Sequence, residues 1–122
     1  MPTTAYVIDT DPDARQWIEV VLSRGVGRVV FLADRQALLE CMPCHNDACL
    51  ILSVGVDEAA TLRLVRELRS AGALIPVIVM GPHSAFRTAV DIARLEATDF
   101  LETPVTARQL RGAVRRALHD TA

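Results

Sequence analysis

"ACLILSVGV", residues 48–56, runs through five apolar residues, stops on Ser53 and reaches a glycine at position 55. A short unbroken apolar run bounded by turn residues reads as a strand covered on both faces; a half-exposed strand would alternate. "IPVIVM" (75–80), followed by Gly81-Pro82, repeats the pattern. Two doubly covered strands require a layer on each side of their sheet.

Working outward, "AYVID" (5–9), "RVVFL" (28–32) and "TDFLE" (98–102) read as three further strands. The intervening stretches have helical spacing. Asp11 caps a helix with Pro12 in its first turn, Gly25 as its stop, and Ala14, Trp17, Ile18, Val21 and Leu22 as its apolar stripe. Asp34 opens a short helix through Leu38, Leu39 and Met42, closed by Pro43. Asp57 caps a third carrying Leu64, Val65 and Leu68, and a fourth starts near Ser84 with Phe86, Ala89, Val90 and Ala93. Pro104 and Thr106 lead into a last helix bearing Leu110, Ala113, Val114 and Ala117. Five strands alternating with five helices predict one α/β domain over residues 1–122, a three-layer (βα)5 unit with a parallel sheet.

Composition narrows the function. The 122 residues are 51% hydrophobic but 4% aromatic, so the core is aliphatic. The formal charge of −2 offers no reason for this domain to bind nucleic acid directly. No apolar stretch reaches bilayer length and no secretion signal opens the chain, so the expected location is the cytoplasm. All thirteen basic residues are arginine, which excludes Schiff-base and P-loop lysine chemistry. Three cysteines point to a reducing compartment.

In such a fold, function sits beyond the carboxyl ends of the strands. Those ends offer Asp9-Thr10-Asp11, Leu32-Ala33, Ser53-Val54-Gly55, Gly81-Pro82-His83 and Thr103-Pro104. The stretches "YVIDTDPDAR", "ACLILSVGVDE", "IPVIVMGPHS" and "ATDFLETPVT" resemble the receiver domain of bacterial two-component response regulators, in particular receivers that precede LuxR-type outputs. The resemblance extends to about Leu118 and implies the flavodoxin-like strand order 2-1-3-4-5.

It also assigns roles. A working receiver has an acidic pair after the first strand, a phosphoacceptor aspartate after the third, a hydroxyl residue after the fourth and a lysine before proline after the fifth. Here Asp9 matches the first acid, but Thr10 replaces the second, Ser53 the phosphoacceptor, Gly81 the hydroxyl residue and Thr103 the lysine. Phe100 matches the aromatic switch, and Pro104 the proline whose peptide bond is usually cis in the family. The family's reaction needs a carboxylate nucleophile and a Mg²⁺ ion held by hard oxygen ligands. Serine cannot form an acyl phosphate, and Asp9 alone is a poor magnesium cage, so phosphorylation and Mg²⁺ binding are both expected to be lost. Acids and lysine are lost together, as suits a folded pseudo-receiver that has no catalytic activity and needs no cofactor.

Two other constellations compete. Asp9, Ser53 and His83 share the rim, but Ser53 lacks the glycine two residues before it that a nucleophile elbow uses. "CMPCH" (41–45) has the haem-attachment spacing, and Cys41, Cys44, His45 and Cys49 form a candidate metal or thiol site. Reactive C-x-x-C motifs favour helix starts, whereas this one falls at a helix end, and Cys49 reads as core.

The expected activity is therefore phosphorylation-independent signalling or transcriptional regulation through a protein partner or an output domain of the same polypeptide. The alternatives are a conventional phosphoacceptor domain and a thiol or metal protein. Receivers commonly dimerise or dock through the fourth helix, fifth strand and fifth helix. Arg87, Asp91, Arg94, Asp99, Arg111 and Arg115 are the candidate contacts there.

Overall fold

The computed structural model describes residues 3–9, 11–41, 47–54, 58–82 and 99–119. Five strands form one parallel sheet: β1 (Thr4–Ile8), β2 (Arg28–Phe31), β3 (Ala48–Ser53), β4 (Val77–Gly81) and β5 (Asp99–Glu102), in the order β2-β1-β3-β4-β5. Four described helices flank it: α1 (Pro12–Leu22), α2 (Arg35–Glu40), α3 (Glu58–Ser70) and α4 (Ala107–His119). The helix expected from Ser84 and the Asp57 cap lie outside the described residues.

The apolar run Ala48–Ser53 is the middle strand of the sheet, and its alternate side chains feed two cores. Cys49 and Ile51 of β3 join Ile78 and Met80 of β4 beneath α1 and α4, against Ile18, Leu22 and Leu110. Leu50 and Leu52 join Val77 and Val79 on the other face, against Leu38 and the α3 residues Leu64, Val65 and Leu68. This is why neither strand alternates in sequence.

Local chemistry sets the ends of the elements. The Asp11 side chain accepts from the Asp13 backbone N–H at 3.0 Å, with Pro12 just behind it, so α1 starts where expected. At α4 a capping box forms: Thr106 Oγ1 accepts from the Gln109 N–H at 3.1 Å, and Gln109 Oε1 accepts from the Thr106 N–H at 2.8 Å. Several boundaries differ from expectation by a residue or two: β1 runs Thr4–Ile8 rather than 5–9, and β2 stops at Phe31 rather than Leu32. β4 begins at Val77 rather than Ile75, because Pro76 has no N–H to donate to the ladder; its carbonyl still accepts from Leu50. α2 ends at Glu40, short of Met42, with Cys41 as its cap.

Removing apolar bulk from the doubly covered strand should be costly. Ile51 is fully buried, and Ile51→Ala is expected to destabilise the fold by about 2–5 kcal/mol in urea unfolding. A change below about 0.5 kcal/mol would contradict the two-sided core.

Candidate functional site

Because all five strands run parallel, their carboxyl ends share one rim, and β1 and β3 are adjacent there. Asp9, Ser53, Gly81 and Thr103 line one open cleft of about 350 Å³, with Trp17, Met80 and Val105 among its apolar walls. Four of the five positions singled out from the sequence are thus brought together; the fifth, Thr10, lies outside the described residues. The Thr103–Pro104 peptide bond is cis.

The Asp9 carboxylate is engaged at both oxygens. Oδ1 accepts the Asp11 backbone N–H at 2.9 Å, and Oδ2 accepts the Ser53 hydroxyl at 2.5 Å. Asp11 in turn is committed to the Asp13 N–H as the cap of α1. The hydroxyl that the triad reading casts as a nucleophile therefore points its proton directly at a carboxylate. His83, the third member of the triad arrangement, falls outside the described residues. Among the described residues, no three His, Cys, Asp or Glu side chains converge as metal ligands.

Position 81 is shaped by its neighbours. A Cβ built there would stand 3.0 Å from Val54 Cγ2, 3.1 Å from Val54 Cβ and 3.3 Å from Phe100 Cζ. Phe100 and Val54 are half-buried and packed against the core beneath α3. The volume that a side chain at 81 would need is held by an isopropyl group and the edge of an aromatic ring. Sequence reasoning registered the missing hydroxyl but not this closure, because nothing local to Gly81 signals which cross-strand side chains lean over it.

Of the candidate partner face, Asp99, Arg111 and Arg115 are among the described residues. Asp99 accepts from Arg116 Nη2 at 2.7 Å, and its other oxygen accepts the Phe100 backbone N–H at 3.0 Å. Gly112, one turn before Arg116, lies under its guanidinium: a Cβ there would stand 3.4 Å from Arg116 Nη1. Arg111 and Arg115 instead line a separate cleft with Leu22 and Leu118, toward α1. Arg87, Asp91 and Arg94 lie outside the described residues. The Arg116–Asp99 pair is solvent-facing, with the two side chains 57% and 26% exposed, so it contributes at most about 1 kcal/mol.

Of the cysteine cluster, Cys44 and His45 lie outside the described residues, and the other two diverge. Cys41 is exposed at the end of α2, whereas Cys49 is fully buried within β3. Burial pushes the Cys49 thiol up to about 12, so it is a thiol rather than a thiolate at neutral pH. In a Cys44→Ser variant, iodoacetamide is expected to label Cys41 in the folded protein and Cys49 only on unfolding. Equal labelling rates in the folded state would contradict that placement.

The sequence model described as "Response regulator receiver domain" matches residues 5–115. The chain is 31% identical over 117 residues to the transcriptional regulatory protein FixJ of Azorhizobium caulinodans, covering 96% of this chain and 56% of that protein. It is 32% identical over 120 residues to the C4-dicarboxylate transport transcriptional regulatory protein DctD of Pseudomonas aeruginosa, covering 95% of this chain and 25% of that protein. Full-length FixJ from B. japonicum superposes with a TM-score of 0.78 at 27% identity, over 98% of this chain and 61% of that one. The chain thus spans about half the length of FixJ and a quarter of DctD. Among the described residues, no helix is long and apolar enough to cross a membrane.

Proposed function

The chain belongs to the response regulator receiver domain family, a signalling fold, and from that premise we propose that it is a receiver regulated without an aspartyl phosphate. The observation that carries this reading is the Ser53 hydroxyl donating to Asp9 Oδ2. Where the family's chemistry needs an ionised nucleophile beside a magnesium cage, this rim has a hydroxyl and a carboxylate satisfying one another. Among the described residues the donor set does not fit Mg²⁺: both Asp9 oxygens already accept hydrogen bonds and Asp11 caps α1. Thr103 likewise offers no cation to a phosphoryl oxygen.

The aromatic position supports the same reading. With Phe100 and Val54 occupying the space over Gly81, the ring rests against the core with no hydroxyl at 81 to draw it in. The β5–α4 surface is then set by packing alone. Its output would be contact with a protein partner, an output domain or a second copy, through the face carrying Asp99 and Arg116. This domain would act in the cytoplasm, make no direct nucleic acid contact and catalyse no reaction itself.

Titration with Mg²⁺ and beryllofluoride, followed by NMR, tests the proposal. Amide shifts of Asp9, Ser53 and Gly81 should stay unchanged through concentrations that saturate a receiver with an intact acidic pocket. Saturable shifts at these residues would favour a conventional phosphoacceptor domain.

A further inference from the structure

A second cleft, of about 370 Å³, lies at the other end of the strands, where α1 finishes and the last turns of α4 arrive. Its apolar floor is Leu22, Val114 and Leu118, the first two almost fully buried. One wall carries Arg111 and Arg115, a helical turn apart on α4. Among the described residues neither guanidinium has an ion-pair or hydrogen-bond partner, in contrast to Arg116 of the same helix, which reaches Asp99. Among the described residues the acid lining the cleft is Asp47, held at φ +67 just before β3, its carbonyl accepting from the Thr4 N–H.

We propose that this cleft binds a small carboxylate carrying a short aliphatic body. Guanidinium forks match the planar geometry of a carboxylate and can engage it through paired hydrogen bonds. The hydrocarbon would cover Leu22, Val114 and Leu118. A bare phosphate or sulfate would leave that floor exposed, and a neutral hydrocarbon would leave both arginines unmatched. The volume falls in the range of small-molecule sites. Asp47 opposes an anion here and holds the affinity down. A ligand so placed touches both α1 and α4 at the end of the domain away from Ser53, and would give this receiver an input independent of the rim. The inference stands whether or not Ser53 can be phosphorylated.

Hexanoate is the probe, added to the isotopically labelled chain and followed by NMR, with hexanol and hexylammonium in parallel. Hexanoate should produce saturable shifts at Leu22, Val114 and Leu118, and hexylammonium none. Arg111→Gln/Arg115→Gln should weaken hexanoate about tenfold or more, Asp47→Asn should tighten it severalfold, and Arg108→Gln, outside the cleft, should leave it unchanged. Circular dichroism checks that each variant is folded, and Arg111→Gln or Arg115→Gln alone serves if the double variant is not. Three results would overturn the proposal: no saturation with hexanoate, equal binding of hexanol, or hexanoate binding indifferent to the arginine variants.

Discussion

Gly81→Thr is expected to destabilise the domain by about 1–3 kcal/mol and to push the Phe100 ring off its present seat. Two opposing terms decide the sign. Replacing glycine narrows the unfolded ensemble and favours folding by about 0.4–1 kcal/mol where the backbone tolerates a side chain. The new Cβ, however, meets Val54 at 3.0 and 3.1 Å and Phe100 at 3.3 Å, and threonine adds two more heavy atoms beyond it. Overpacking of that kind costs more than the entropy returns. Urea unfolding reads the stability, and nuclear Overhauser contacts between the Phe100 ring and Val54 read the ring position. Gly81→Ala, with the Cβ alone, should fall between the two. Unchanged stability together with undisturbed ring contacts in Gly81→Thr would mean that the packing over position 81 is not as described. The same substitution would place a hydroxyl where the family resemblance puts its switch residue, and the packing of this rim opposes it.

Ser53→Asp is the second change with a large expected effect. It installs the family's acceptor carboxylate, but next to an Asp9 oxygen that now receives a hydroxyl proton at 2.5 Å. Donor becomes acceptor, and two like charges face one another at the rim. Near neutral pH the variant should be about 1–3 kcal/mol less stable than the parent. The sign with pH follows from linkage. Folding brings the two carboxylates together, so the folded state of the variant takes up one proton more readily than the unfolded state. Stability is therefore lowest at neutral pH and recovers as the pH falls and the pair shares a proton. Thermal unfolding of parent and variant across the acidic range checks this: the gap between them should narrow on acidification. A gap independent of pH would show that residues 9 and 53 do not face each other as described. With Thr103 unchanged, the variant still lacks a cation for a phosphoryl oxygen, so a carboxylate alone should not restore acceptance of phosphate.

Much of the fold was legible because it depends on local pattern. The unbroken apolar run of β3, the Asp11-Pro12 start of α1 and the Thr106 entry to α4 each carry their meaning in a few consecutive residues. Where the reading slipped, the cause was also local: Pro76 looked like part of an apolar strand, but its missing N–H delays the ladder to Val77. The site was only partly legible. The identities at positions 9, 53, 81 and 103 could be listed from strand ends, and the sheet does gather them. The Ser53 contact with Asp9 joins residues 44 apart in sequence, and the closure over Gly81 brings in side chains from two other chain segments, Val54 and Phe100. Both depend on strand register and rotamer, which no short pattern encodes. The arginines of α4 make the same point. Arg111, Arg115 and Arg116 look alike in sequence, yet the helix turns Arg116 toward Asp99 and the other two toward α1.

On the reading proposed above, this rim accepts no phosphoryl group. Incubation with acetyl phosphate and Mg²⁺, followed by intact-mass measurement under conditions that preserve acyl phosphates, tests it most directly. The parent chain is expected to remain a single species at the unmodified mass. A stoichiometric phosphoryl adduct that disappears in Ser53→Ala or Asp9→Asn would contradict it.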